Sequence, residues 1–221
     1  MDGTHLGLAF KPELDGEDYW TWKQSYAVSA MVVCDDFKRI RYLNLGWPGS
    51  VHDQRIYQNS SLNKKPNLYF ATREYILGDS ACSNTPTVVP AYKKFGGQVM
   101  LTAGQTFFND LLSSARCQVE HTIGIWKGRF PFLRQLRFRL ASKKDMRQLI
   151  KYVKASAVLH NLFVGKHCVP KSWLSMDDLH ETDMEDELDE ELFLSEHMNA
   201  THGNEGTRRA EVHNFLSAKL Q

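Results

Sequence analysis

The sequence predicts a mixed α/β domain, and three observations carry that expectation. Two apolar runs of strand length flank a polar turn, a short apolar run stops at a Gly-Asp-Ser turn, and two long stretches opened by capping boxes repeat apolar residues at steps of three and four. Strands and helices are interspersed, as in an α/β or α+β domain. A chain of 221 residues, 42% hydrophobic and 24% charged, buries one sizeable core with room for an appendage.

Taken in order, Tyr26 to Asp35 (YAVSAMVVCD) and Arg39 to Trp47 (RIRYLNLGW) form a β-hairpin around the turn Asp36 to Lys38. Pro48-Gly49 ends the second strand. Ser50 and Asp53 have the spacing of a capping box, with Ser50 as cap and Asp53 at N3, so a helix of about two turns runs to roughly Asn59. Tyr75 to Asp79 is a buried strand whose C-terminal end carries Asp79. Thr102 and Gln105 open a long helix that Gly128 and Pro131 close, with Phe108, Leu112, Ala115, Val119, Ile123 and Trp126 as its core stripe. Glu120 lies beside that stripe, at the border of core and solvent. Ser142 and Asp145 cap a last helix through Met146, Ile150, Val153 and Ala157 to Gly165. Residues 1–170 are read as one domain. Residues 171–221 are read as an acidic, mobile tail with a terminal helix from Gly206.

Several function classes drop out. No apolar run approaches the ~20 residues of a membrane helix, and Met1 is followed by Asp2 rather than by a basic and then an apolar segment, so neither a membrane span nor a secretory leader is expected. Cys34, Cys82, Cys117 and Cys168 form no Cys-x-x-Cys pair and are too sparse for a disulfide scaffold, which fits a reducing compartment. His160, His167 and Cys168 lack a second ligand pair, so no zinc site is expected, and nucleotide-binding and serine-nucleophile motifs are missing from the sequence.

The net charge of +1 conceals an asymmetry. From Arg116 to Lys154, eleven Lys or Arg face two acids, Glu120 and Asp145, giving +9; from Ser172 to Thr207 there are twelve Asp or Glu and no Lys or Arg. A basic stretch of that strength is an electrostatic footprint for a polyanion. Lys127, Arg129, Arg134, Arg137 and Arg139 follow the helix that bears Glu120 and are the candidate DNA-binding residues.

What remains is carboxylate chemistry. Asp2, Asp79 and Glu120 stand where pattern alone would not put a solvated charge, and together they would make an oxygen-only cluster suited to Mg²⁺ or Mn²⁺. Spacing by itself leaves Asp79 readable as a turn residue and Glu120 as an ion-pair partner of Arg116.

The runs D-G-T-H at Asp2 to His5, G-W-P-G-S-V-H-D-Q-R at Gly46 to Arg55, L-G-D-S at Leu77 to Ser80, F-N-D-L-L-S-S-A-R-C-Q-V-E-H at Phe108 to His121 and K-G-R-F-P at Lys127 to Pro131 resemble the PIF/Harbinger transposases and the host nucleases derived from them, in the DDE endonuclease superfamily. A-V-L-H-N at Ala157 to Asn161 and T-R-R-A at Thr207 to Ala210 resemble its later part. The resemblance implies an RNase H-like fold of the DDE integrase/transposase kind, a mixed sheet flanked by helices. It also implies a catalytic and metal-binding triad of Asp2, Asp79 and Glu120, with Mg²⁺ or Mn²⁺ as cofactor and DNA as substrate. A nuclear location and a separate Myb/SANT-like partner follow from the same likeness. His52 and Asp53 match the family's H-D pair and are accessory candidates. Two departures stand out: Ala81-Cys82 replace the usual Gly-Tyr after G-D-S, and the chain starts one residue before Asp2, so the first strand is expected to be missing and Asp2 to fray. The leading reading is a metal-dependent endonuclease or transposase domain. The alternatives are a domesticated or decayed relative that binds DNA or protein without cutting, and a histone-binding or activation module built on the acidic tail.

Overall fold

The apolar run after Tyr26 is hydrophobic at successive positions, rather than alternate ones, because it becomes a central strand covered on both faces. The computed structural model describes residues 1–94 and 100–164. In it, β1 (Asp2–Gly7), β2 (Ala27–Cys34) and β3 (Ile40–Pro48) form an antiparallel sheet in the order β1-β2-β3, and Ala27 through Val33 are all buried. The hairpin lies where the sequence puts it. Ser29 pairs with Trp47 and Ala30 with Leu45, which leaves Gly46 as the extra residue of a bulge at φ 93°. A side chain at Gly46 would be strained by that φ and would press on Ile150 Cδ1 at 2.9 Å.

A strand begins at Asp2 itself. Asp2 pairs with Val32 and Gly7 with Ala27, so Asp2 is held in a ladder rather than fraying. The Met1 nitrogen donates to Leu77 O at 2.7 Å, tying the start of β1 to β4 (Ile76–Gly78), which pairs in parallel with β5 (Val88–Pro90).

The helix before that pair starts later than its capping box implies. α1 (Asp53–Gln58) has His52, not Ser50, as N-cap, and Asp53 is its first residue rather than its third. Ser50 N instead donates to Asp18 O, which uses Ser50 to bind the β1–β2 loop. A short α2 (Ser61–Lys64) follows. α3 (Ala103–Arg129) has the Thr102/Gln105 capping box in full, and α4 (Lys143–Phe163) is capped by Ser142. The described part of α4 ends before Gly165. No described helix is long and apolar enough to cross a membrane.

Each face of the sheet has its own core. Leu6, Val28, Ala30 and Val32 pack with Val119, Ile123 and Trp126 of α3 and with Leu149 and Val153 of α4. Met31 and Val33 pack on the other side with Ile56 and Tyr57 of α1 and Val88 of β5. Phe108 and Leu112, earlier on α3, pack on Val89. Ala115 departs from the stripe and is exposed, because it falls between these two cores. The A-V-L-H-N run is a latch. Asn161 pairs with both backbone groups of Ile40 (2.8 and 2.9 Å), and buried His160 donates from Nε2 to Lys38 O at 2.9 Å. That bond fixes the tautomer, so Nδ1 accepts from Arg129.

The acidic tail at 171–221, its terminal helix and the pair His167 and Cys168 lie outside the described residues.

Candidate active site

A strand alternates its side chains between two faces, and β1 uses that alternation to gather acids from both. Asp2 faces α3, where the Arg116 guanidinium reaches its Oδ1 at 3.1 Å. Gly3, the next residue, faces α1 and carries no side chain. A Cβ there would collide with both carboxylate oxygens of Asp53. Gly3 is therefore what lets Asp53, exposed along its α1 side, bring its carboxylate against the edge strand.

Asp79 follows β4 directly. Its Oδ1 accepts from the amides of Ala81 (2.8 Å) and Cys82 (3.1 Å), so the Gly-Asp-Ser turn orients the carboxylate. Asp2, Asp53 and Asp79 line one recess with Gly3, Met31 and Cys82, with a cavity volume of about 20 Å³. That is room for a water or a single ion and not for an organic ligand. Among the described residues no three His, Cys, Asp or Glu side chains close into a cage around an ion.

The electrostatics report crowding. Burial, followed by the charges of Asp2 and Asp79, pushes the Asp53 carboxyl up to about 6. Burial also raises Asp2, opposed chiefly by Arg116. Burial and the neighbouring Asp79 push the Cys82 thiol up to about 12, so it is a neutral wall of the recess rather than a thiolate. Here lies the consequence of the Ala-Cys departure: Cys82 packs over Gly78, and the two amides still hold Asp79. An all-oxygen donor set with excess negative charge in an ion-sized space fits Mg²⁺ or Mn²⁺ in chemistry.

The other sequence-derived residues are placed as follows. Glu120 is exposed on α3, one turn beyond Arg116, and does not line the recess. His52 is exposed at the α1 N-cap. Lys127 lies near enough to His5 to act on its charge: burial first, then Lys127 and Lys23, hold the His5 imidazole below its usual value. Arg129 turns inward, donating to His160 O at 3.3 Å. Arg134, Arg137 and Arg139 belong to a segment bonded to the far end of β1 through Leu136 N to Gly7 O. Five residues of strand put that end about 17 Å from Asp2. Arg137 and Arg139 are exposed, and Arg139 stacks over Phe10 at 5.3 Å.

Spacing alone undervalued Asp53, because a helix N-terminal acid reads as a cap until the sheet shows what it faces. The signal for it was Gly3, directly after an acid in a strand.

The crowding has a measurable result. A carboxyl at about 6 in the fold, against about 3.9 unfolded, holds its proton preferentially in the folded state. Its favourable contribution is therefore complete below the unfolded value and is lost as pH rises through about 6. His5 and His160, both held low mainly by burial, act in the opposite sense. The expected outcome in chelator is thus a difference: between pH 5 and 7 the melting temperature of the parent chain falls relative to that of Asp53→Asn, and Mn²⁺ recovers the loss at pH 7. Parallel pH profiles for the two proteins would show that the Asp53 charge is not strained.

A family model described as DDE superfamily endonuclease matches residues 1–161. No curated protein and no solved structure matches the chain.

Proposed function

Because this chain belongs to the DDE superfamily endonuclease family, we propose that it is a metal-dependent DNA nuclease or transposase domain of the PIF/Harbinger type, with its reaction centre at the recess of Asp2, Asp53 and Asp79. The observation that carries this reading is the convergence of acids from β1, α1 and β4 on one ion-sized space. Asp2 and Asp79 would hold the divalent cation, Asp53 would join them, and Glu120 would approach from α3. When bound, such a cation supplies Lewis acidity at the phosphoryl group and charge neutralisation at the leaving oxygen. The protein's own part is orientation. Backbone amides fix Asp79, Arg116 holds Asp2 toward α3, and Gly3 keeps the edge open to Asp53. The exposed Arg137 and Arg139 would grip the phosphate backbone at a distance from the cut and set its register.

The test is conversion of supercoiled plasmid to open circles by the full chain with Mg²⁺ or Mn²⁺. A second reading, DNA binding without cleavage, is favoured by the Arg116 contact on Asp2 and by Glu120 lying outside the recess. Plasmid that stays supercoiled while DNA is still bound would decide for it. A nuclear site of action and a Myb/SANT-like partner belong to the same proposal, and import dependent on such a protein would test both.

Binding itself has an expected form. Neutralising Arg134, Arg137 and Arg139 together lowers affinity for non-specific duplex and reduces the slope of log affinity against log salt by about two, one for each of the two exposed cations. The slope is read from titrations at several salt concentrations. An unchanged slope would mean that these cations are only a solvated surface.

A further inference from the structure

A helix that packs on a sheet along one row of residues has little use for a full charge on that row, yet α3 carries one. Leu112, Arg116 and Val119 follow one another at steps of four and three; Leu112 and Val119 are buried, and the Arg116 side chain is 18% exposed. Asp2 compensates the charge. Arg116 Nη2 donates to Asp2 Oδ1 at 3.1 Å, and the Asp2 side chain is itself 28% exposed. An ion pair this sheltered is screened less than a surface one, and removing either partner leaves the other charge uncompensated. The Arg116 charge is the main one opposing burial at Asp2, and it also acts on Asp53 and on the Met1 ammonium, so its field reaches the recess that these residues line. Arg116 Nε is buried and has no hydrogen-bond partner among the described residues, which leaves part of the guanidinium fork unused.

We propose that Arg116 is the internal counter-ion of the recess, competing with a divalent cation for the Asp2 carboxylate until a DNA phosphate draws the guanidinium away. This rests on the nuclease reading above and deepens it, by making metal loading depend on substrate. A guanidinium and a dipositive ion that share one carboxylate repel each other, and even water-like screening leaves that repulsion on the order of tenfold in affinity. The phosphate acted on at the recess has to lie against the cation that Asp2 holds, which puts its oxygens within reach of a guanidinium already touching that carboxylate. The planar fork matches phosphate oxygens as well as it matches a carboxylate, and the unused Nε–H supplies a further donor. Without DNA the chain therefore binds the ion weakly. DNA and ion each favour the arrangement in which Arg116 has left Asp2, so the binding of one strengthens that of the other.

The experiment titrates Mn²⁺ into the full chain without DNA, counting the free ion by its paramagnetic resonance, for the parent, Arg116→Gln and Arg116→Lys. Arg116→Gln is expected to bind Mn²⁺ on the order of tenfold more tightly than the parent, and Arg116→Lys, which keeps the charge, to stay near the parent. In chelator Arg116→Gln melts below the parent, and saturating Mn²⁺ closes the gap, since the ion takes over the neutralisation of Asp2. If Arg116→Gln does not fold, the parent alone gives the answer: the Arg116 Nε–H resonance, assigned by its loss in Arg116→Lys, moves on addition of Mg²⁺ and moves further with a short duplex. Equal Mn²⁺ affinity in the three proteins, or a resonance that saturating Mg²⁺ leaves in place, overturns this proposal and leaves the nuclease reading intact. Weaker binding by Arg116→Gln overturns it as well and makes Arg116 a residue that positions Asp2 for the ion. Absence of Mn²⁺ binding in every variant, with or without duplex, overturns both.

Discussion

Asp79→Asn is expected to abolish metal-dependent nicking, by a factor on the order of a thousand or more, while the protein remains folded. Placing a cation against a developing phosphoryl charge contributes several kcal/mol, and each ~1.4 kcal/mol is tenfold in rate. The amide substitution keeps the Oδ1 acceptor that takes the Ala81 and Cys82 amides, so the turn keeps its shape and only the charge is lost. Asp2→Asn should act as strongly, with a further signature: Arg116 loses its carboxylate partner, and the variant's dependence on metal concentration shifts along with its rate. The measurement is initial nicking rate over a Mn²⁺ titration with the thermal melt recorded in parallel. Residual activity within tenfold of the parent in Asp79→Asn, at an unchanged melting temperature, would remove Asp79 from the centre.

Trp126→Ala is expected to cost about 3 to 5 kcal/mol of stability, a large part of the 5 to 15 kcal/mol that holds an ordinary domain together. Trp126 has no solvent exposure, joins the core between sheet, α3 and α4, and donates from Nε1 to Ser156 Oγ at 3.0 Å. Ser156 keeps its own bond to Val153 O, so the loss is mainly volume and one donor. Trp126→Phe should recover most of the deficit. Urea unfolding of the three proteins gives the values, and a loss under 1 kcal/mol in Trp126→Ala would mean that the helices repack around the space.

The contrast between these two sites shows what is legible in a sequence. Trp126 and its stripe follow from helical period alone, since burial on one face imposes steps of three and four, and the Thr102 cap follows from local backbone chemistry. The hairpin follows from two apolar runs and a turn. The start of α1 did not, because Ser50 is taken up by Asp18 O in a loop remote in sequence, and such a contact leaves no periodic trace. The candidate recess was legible in part. Asp79 sits at the end of a strand that local pattern marks, but Asp2 was expected to fray and is held by a ladder no local pattern announced, and Asp53 meets them only because Gly3 and the order of the sheet bring α1 to the edge. Arg116 was readable as a helix neighbour of Glu120, but its reach to Asp2 spans 114 positions and belongs to tertiary structure.

The latch of His160 and Asn161 on Lys38 and Ile40 closes over a separation of 121 to 122 residues. During synthesis the three-stranded meander is therefore complete long before the helices that cover one of its faces exist. Leu6, Val28, Ala30 and Val32 wait for Trp126 and Val153 to leave the ribosome. Contacts of such span slow folding and leave strand surface open to association in the interval. A nascent chain interrupted before Asn161 would have an open meander with an unfastened tip, so translation speed between Pro48 and Lys143 becomes a determinant of yield, and a chaperone that shields apolar strands would act in that window.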